Sequence, residues 1–251
     1  MVERVLQAPS QYWMLIMMWV RSSMAYPASF FLMLFSSMVL TVMDFVAIVL
    51  MFSHISSFGG FSLPEMGLLY ATASMTLGIA DLFTGSIERV GERIRTGTFD
   101  AYLIRPVQAL VVMVFAFSRL DVDWTVARGI MLGVSIVAGS VIFGAIFVLG
   151  AAFQFVSVDS AELANSFTYG GQTLTQYPLA VFGKEIVRAV TFVVPLAFVN
   201  YYPVLFLLGK PAPLGLPSWI GLLSPLVAAV MVALASLAWR GGLRRYRSTG
   251  S

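Results

Sequence analysis

The stretch Pro27–Phe52 reads PASFFLMLFSSMVLTVMDFVAIVLMF and contains a single charged residue, Asp44. A transmembrane helix needs about 20 consecutive, mostly apolar residues, so this stretch is long enough to cross a bilayer. Its first residue, proline, suits the first turn of a helix, where the missing N–H group has no partner to lose. We predict a membrane-spanning helix over these residues.

Five further apolar segments follow, at residues 64–83, 107–120, 129–156, 186–208 and 219–239. The segment 107–120 is short for a span, and residues 101–104 offer an extension of it. Residues 12–20 are apolar and shorter still, with Trp13 and Trp19 near the ends, so residues 1–22 predict an interfacial helix lying on the membrane. We therefore predict an all-α polytopic membrane protein of one domain (residues 1–251) with about six transmembrane helices.

The composition supports this class and excludes several others. Charged residues make up 11% of the chain and hydrophobic residues 59%, whereas soluble domains carry about 25% charged residues. The chain contains no cysteine and only one histidine, His54, in a polar turn. No catalytic residue and no metal site are therefore predicted. The net charge of +3 does not indicate nucleic-acid binding, because the apolar runs leave no soluble face for phosphate contacts.

The distribution of Lys and Arg predicts the orientation, because these residues favour cytoplasmic loops. With six spans and both termini in the cytoplasm, 12 of the 15 basic residues lie inside, among them Lys184 and Arg188. Only Arg119, Arg128 and Lys210 lie outside. In this scheme residues 157–176, which are polar and include two adjacent glycines, form a turn-rich inner loop.

The longest strongly polar segment, residues 86–105, predicts a cytoplasmic helix that docks on a partner. Apolar residues recur at helical spacing on one face and charged residues occupy the other faces. The alternative is a plain solvated loop. The residues assigned to partner coupling are Ile87, Glu88, Arg89, Glu92, Arg93, Ile94, Arg95, Asp100 and Arg105.

Two features inside the spans are candidates for function. Asp44 is a carboxylate within the first span, where a charge is costly and is by default a functional candidate; a packing role or a position near the outer interface explains it equally well. Pro195 interrupts the fifth span by removing a backbone hydrogen bond. With Asn200 and Pro203 it marks a helix break, which either lines a substrate path or is a packing kink.

Three stretches carry a resemblance to a known family. They are residues 78–82 (GIADL) with 95–106 (RTGTFDAYLIRP), residues 164–178 with their AN, YGG and YP pairs, and residues 192–203 (FVVPLAFVNYYP) with 208–210 (LGK) and the ending YRSTGS. The sequence resembles the type-2 ABC exporter permeases, in the six-span branch known as ABC-2 family transporter proteins. It departs from that pattern after Pro106, where a longer segment before the third span is typical.

The resemblance implies a homodimeric permease that exports an unidentified substrate across the cytoplasmic membrane. It also implies a separate ABC ATP-binding subunit, which binds ATP and Mg and contacts residues 86–105, so the chain itself needs no cofactor and is not an enzyme. The sequence contains no phosphate-binding loop, in agreement with that division of labour. The alternative is an ion- or proton-coupled secondary transporter that uses Asp44; an intramembrane enzyme lacks a nucleophile–base pair.

Overall fold

Apolar helices build almost all of the described chain. The computed structural model describes residues 27–84, 100–154 and 161–245, and only the backbone at residues 29, 30, 33, 34, 37, 100–108, 161–165 and 245. Within these ranges the α-helices are α1 Pro27–Phe52, α2 Leu63–Thr84, α3 Asp100–Arg119, α4 Val126–Gln154, α5 Ala161–Thr175, α6 Lys184–Phe192, α7 Tyr201–Leu207 and α8 Ser224–Arg245. Short 3-10 turns connect the later helices, at Leu179–Phe182, Leu196–Phe198, Pro213–Gly215 and Ser218–Leu223.

Three continuous helical stretches are long and apolar enough to cross a membrane: Leu63–Thr84, Val126–Gln154 and Ser218–Arg244. A fourth candidate is the bent pair Lys184–Phe192 and Leu196–Leu207. Met38–Phe52 and Ala109–Arg119 are shorter apolar helices. The all-α membrane fold is confirmed, while the number of six spans stays a prediction.

Helix directions follow from residues that meet between neighbouring helices. Gly67, near the start of α2, lies against Ala116, near the end of α3, because a Cβ on the glycine would be 3.5 Å from the alanine Cβ. Gly144, in the second half of α4, lies against Thr84 at the end of α2. Helix α3 is therefore antiparallel to α2, and α4 is parallel to it. We call the end of the bundle that holds residues 53–62 the upper end and the end that holds Thr84 the lower end.

Helices α5 and α8 both pack against α4. In α8, Pro225 shares a cavity wall with Gly133 in the first half of α4, whereas Ser236 shares one with Val148 in the second half. Helix α8 therefore runs parallel to α4 and ends at the lower end. Small residues on α4, such as Gly139, let neighbouring backbones approach closely, as is usual where helices pack in membranes.

Helix α1 lies at the edge of the bundle and buries only a narrow stripe. Phe45 and Ile48 are buried in a small apolar cluster with residues of α2 and α3. Large apolar side chains on the rest of α1, including Phe35, Leu40 and Met43, are exposed in the single chain. Because exposing so much apolar surface to water is unfavourable, this face is suited to contact with lipid or with another chain.

The structure corrects the prediction of a turn-rich loop at residues 157–176, because residues 161–175 form α5. The two glycines do not make a turn. Gly171 faces Leu196, and a Cβ there would be 3.0 Å from the leucine Cδ1. Among residues 166–175 of α5, whose side chains the structure describes, the buried ones are Thr168, Gly171 and Thr175, which have helical spacing. Hydropathy missed the helix because this face is small and polar rather than apolar.

The structure also differs from the sequence interpretation around residue 106. Helix α3 begins at Asp100 and continues through Pro106, so residues 100–105 belong to this helix and not to a separate connecting segment. The apolar segment predicted at 107–120 is the second part of that longer helix. Proline favours a helix start from sequence alone, yet here six helical residues precede it.

Candidate functional site

The broken segment between α5 and α8 is the candidate functional site, because its two ends lie at the same end of the bundle. Helix α6 and the segment Leu196–Leu207, which contains α7, are bent by 79° relative to each other. Just before α6, Pro178 and Val181 lie against Gly59, at 2.9 Å each from a Cβ built on that glycine. Just after α7, Lys210 donates to the Gly60 carbonyl at 2.6 Å. Both ends therefore lie beside the upper loop at residues 53–62.

This geometry corrects the single fifth span predicted over residues 186–208. The chain enters the bundle at the upper end, turns, and returns to the upper end, so α6 and α7 form a re-entrant pair. The upward path is instead taken by α5: Tyr169 donates to Asp81 at 3.2 Å and Gln176 to Ser74 at 3.2 Å. Helix α5 is thus antiparallel to α2, and Pro178, shortly after its end, lies against Gly59 of the upper loop.

The break itself lies at Pro195. It has no N–H group to continue the α-helical ladder, and its ψ of 51° departs from helical values. The following Leu196 N–H instead bonds to the Val194 carbonyl at 2.6 Å. Pro203 lies in the first turn of α7, where a missing N–H costs nothing.

Asn200 anchors the turn of the re-entrant pair inside the bundle. Its side chain is only 2% exposed. The Nδ2 group donates to the Leu69 carbonyl of α2 at 2.9 Å and to the Thr175 carbonyl of α5 at 3.0 Å. The Oδ1 atom has no hydrogen-bond partner among the described residues. The two carbonyls fix the orientation of the amide, because carbonyls only accept hydrogen bonds.

Close backbone approaches hold the rest of the turn. Val199 lies against Gly139 of α4, where any added Cβ would overlap the Val199 carbonyl oxygen. Ser224, at the start of α8, donates to the Phe198 carbonyl at 2.7 Å. Across the bend, Thr191 of α6 and Tyr202 of α7 share a hydrogen bond of 2.8 Å. The pair is therefore tied to α2, α4, α5 and α8 at once.

An ion pair lies at the upper end, beside the re-entrant pair. Lys210 lies 3.1 Å from a carboxylate oxygen of Glu65 at the start of α2, in addition to its bond to Gly60. The same Glu65 accepts from the Ser62 N–H at 2.7 Å. The segment after α7 is thereby joined to the loop between α1 and α2.

Asp81 is a buried polar residue that site prediction from the sequence did not select. It is 1% exposed and accepts a hydrogen bond from Tyr169 of α5 at 3.2 Å. The signal was available, because a carboxylate inside an apolar segment is a functional candidate by default.

Asp44 stays a candidate whose role is a prediction. It is exposed on α1 beside the buried Phe45, and the described part of the chain offers it no hydrogen bond or ion pair. His54 is exposed in the upper loop, with its Nδ1 2.9 Å from the Ser53 hydroxyl. Across the described ranges, no cluster of metal-ligating side chains is found.

The predicted coupling residues Ile87, Glu88, Arg89, Glu92, Arg93, Ile94 and Arg95 lie outside the described residues, as does the predicted interfacial helix at residues 1–22. Asp100 and Arg105 belong to the first two turns of α3. The structure therefore does not test the coupling surface, which stays a prediction.

The re-entrant geometry predicts which positions react from the same side of the membrane. The chain has no cysteine, so single cysteines can be labelled cleanly with a membrane-impermeant maleimide. We expect Lys184→Cys to label from the same side as Ser57→Cys and Ser218→Cys, and Ser248→Cys, just beyond α8, from the opposite side. Labelling of position 184 together with position 248 would restore a single span over residues 186–208.

Comparison with known proteins gives a family but no characterised relative. The sequence profile of a family described as "ABC-2 family transporter protein" matches residues 38–115 and 107–250. No curated protein matches, and no solved structure matches. Because the matched residues cover well over half of the chain, including α2, α4, α8 and the re-entrant pair, the protein belongs to the family of ABC-2 transporter proteins.

Proposed function

We propose that this chain is the permease subunit of an ABC exporter, which moves its substrate out of the cytoplasm as a homodimer with two ATP-binding subunits. Members of this family are the membrane components of ABC transporters and not the ATPases themselves. ATP and Mg are accordingly bound by the partner subunit. The observation that carries the proposal is the family match over residues 38–250 on an all-helical membrane bundle.

The re-entrant pair is suited to act as the gate at the upper end. Irregular backbone at membrane depth is tolerated only where protein or a water-filled cavity satisfies its polar groups. Here Asn200 and Ser224 provide such bonds at the turn of the re-entrant pair. We propose that ATP-driven movement of the lower end is passed through α2 and α5, which hold Asn200 from both sides.

The count of basic residues on each side still favours an orientation with both termini in the cytoplasm when α6 and α7 are a re-entrant pair. Lys184 and Arg188 move from the inner to the outer set, so the predicted 12 inner basic residues become 10 and the 3 outer ones become 5, out of 15. The excess still favours a cytoplasmic lower end. The upper end, with the re-entrant pair, then faces outward, where an exporter releases its substrate.

The coupling segment gives the direct test of this function. Reversing the charges of Glu92 and Arg93 together is expected to leave the protein inserted but to weaken copurification of the ATP-binding subunit, because interface charges fix register. Ile87→Asp or Ile94→Asp is expected to act more strongly by placing an unpaired charge in the contact. Copurification and ATP-driven transport in proteoliposomes are measured.

A matched control is the charge reversal of Glu185 and Arg188. These residues form an exposed ion pair of 2.8 Å at the upper end and do not belong to the proposed coupling segment, so their reversal should leave ATPase binding intact. If the Glu92 and Arg93 variant binds the ATPase and transports like the parent, the coupling assignment and with it the proposed function lose their support.

The rival function, an ion- or proton-coupled transporter, depends on Asp44. This carboxylate is exposed on α1, and within the described ranges no hydrogen bond or ion pair holds it. Asp44→Asn is therefore expected to leave transport per inserted molecule near that of the parent. Loss of transport with intact insertion and ATPase binding would favour the coupled transporter.

A further inference from the structure

The upper end contains a cavity that neither the family nor the proposed export activity assigns to a ligand. Its volume is about 820 Å³, and it lies between α6 and the turn Pro213–Gly215. The charged residues along it are Lys184, Glu185 and Arg188, and the apolar ones include Phe192 and Val193. Its wall thus combines ionic groups and bare hydrocarbon in one cavity.

Helix α6 separates these two kinds of group along its length. Lys184, Arg188 and Phe192 follow one another at intervals of four residues, so they share one side of the helix. The two basic groups occupy the first turns, and Phe192 lies roughly 12 Å along the axis from Lys184 and roughly 6 Å from Arg188. The opposite side, with Val187 and Val190, is buried in the bundle, so the mixed side faces outward.

The apolar part of the cavity needs a hydrocarbon partner. Phe192 and Val193 are 67% and 77% exposed, although they directly precede the buried turn of the re-entrant pair. A soluble anion would satisfy the basic groups but would leave these two side chains uncovered. A molecule with an anionic head and an apolar tail satisfies both ends.

The charge balance favours an anion over a zwitterion. Glu185 pairs with Arg188 at 2.8 Å, which leaves the cavity with one net positive charge from Lys184. Lys184 has no ion-pair partner in the part of the chain that the structure describes. An incoming anion can therefore bind Lys184 directly and compete with Glu185 for the guanidinium of Arg188.

We propose that this cavity binds an anionic lipid of the leaflet at the upper end, with its phosphate at Lys184 and Arg188 and an acyl chain over Phe192 and Val193. The site does not depend on the direction of transport. It places a lipid against the helix that leads into the turn anchored by Asn200, so the composition of that leaflet acts on the position of the re-entrant pair.

The test uses a fluorophore inside the cavity. Ala189 is exposed and lines the cavity, and the chain has no cysteine, so Ala189→Cys can be labelled with bimane in the full-length protein. The labelled protein is reconstituted in two kinds of phosphatidylcholine vesicle. One contains phosphatidylglycerol with brominated acyl chains, and the other contains phosphatidylcholine with brominated acyl chains. We expect stronger quenching by the brominated anionic lipid at equal mole fraction.

Charge variants then give effects of opposite sign. Lys184→Gln is expected to lower the preference for the anionic lipid about fivefold, the effect of one basic residue near an anionic membrane surface. Glu185→Gln is expected to raise it by freeing Arg188. Arg128→Gln is the matched control, because Arg128 is also basic, is partly exposed near the upper end, and bonds to the Asp123 carbonyl at 2.8 Å. We expect no change in the lipid preference of this variant.

Inorganic phosphate separates a lipid site from a simple anion site. At ionic strength matched with chloride, added phosphate is expected to leave the quenching unchanged. The proposal would be overturned by equal quenching from the two brominated lipids or by displacement of the lipid by phosphate. It would also be overturned if Arg128→Gln lowered the preference as much as Lys184→Gln does.

Discussion

Replacing Asn200 with aspartate is expected to destabilise the protein by about 3–5 kcal/mol, the cost typical of an uncompensated buried charge. The Nδ2 group now donates to the carbonyls of Leu69 and Thr175. An ionised aspartate has no hydrogen to donate, so its oxygens would face two carbonyl oxygens in a site only 2% exposed. Unfolding in detergent followed by size-exclusion chromatography measures the loss of folded protein.

The matched control for this change is Gln176→Glu. Gln176 is half-buried, and its Nε2 donates to the hydroxyl of Ser74 at 3.2 Å. A hydroxyl can donate as well as accept, so the carboxylate of glutamate can keep the contact with the roles reversed. We expect a clearly smaller loss than for Asn200→Asp. Equal losses for the two variants would mean that general burial of charge, rather than the two carbonyls, decides the effect.

Gly139→Ala is expected to shift the turn of the re-entrant pair and to destabilise the protein by about 1–3 kcal/mol, as overpacking of a close contact usually does. The new Cβ would overlap the Val199 carbonyl oxygen and lie 2.7 Å from the Thr76 Cγ2. The carbonyl belongs to the backbone, so it can move only if the turn moves with it. We expect both the temperature of thermal unfolding and the rate of ATP-driven transport to decline.

Gly133→Ala provides the control in the same helix. Position 133 has open space where the Cβ would go, so the substitution adds no clash. It should leave stability unchanged or raise it by up to about 1 kcal/mol through helix propensity. Should Gly139→Ala behave like Gly133→Ala in both measurements, the close approach of Val199 to α4 would not constrain the turn.

Much of the architecture is decided by local properties of the sequence. The apolar length and single charge of Pro27–Phe52 are sufficient to predict a membrane helix, because a bilayer selects for uninterrupted hydrophobicity. The lack of a phosphate-binding loop and of cysteine can be read directly from the amino-acid sequence. Pro195 likewise marks the break, since a missing N–H is a property of the residue itself.

The tertiary structure alone decided which way the chain runs after that break. Residues 186–208 have the length and hydropathy of a span, and these quantities are the same for a crossing and for a re-entrant pair. The contacts of Gly59 with Val181 and of Gly60 with Lys210 place both ends at one end of the bundle.

The same limit explains the buried polar contacts of Asn200 and of Asp81 with Tyr169. Their partners lie 131 and 88 residues away in the chain, and α5, which brings them together, has a buried face of threonine and glycine. Hydropathy and periodicity indicate whether each segment is suited to lie in the membrane. They carry no information on which segments meet each other, because that is set by the fit of side chains from distant parts of the chain.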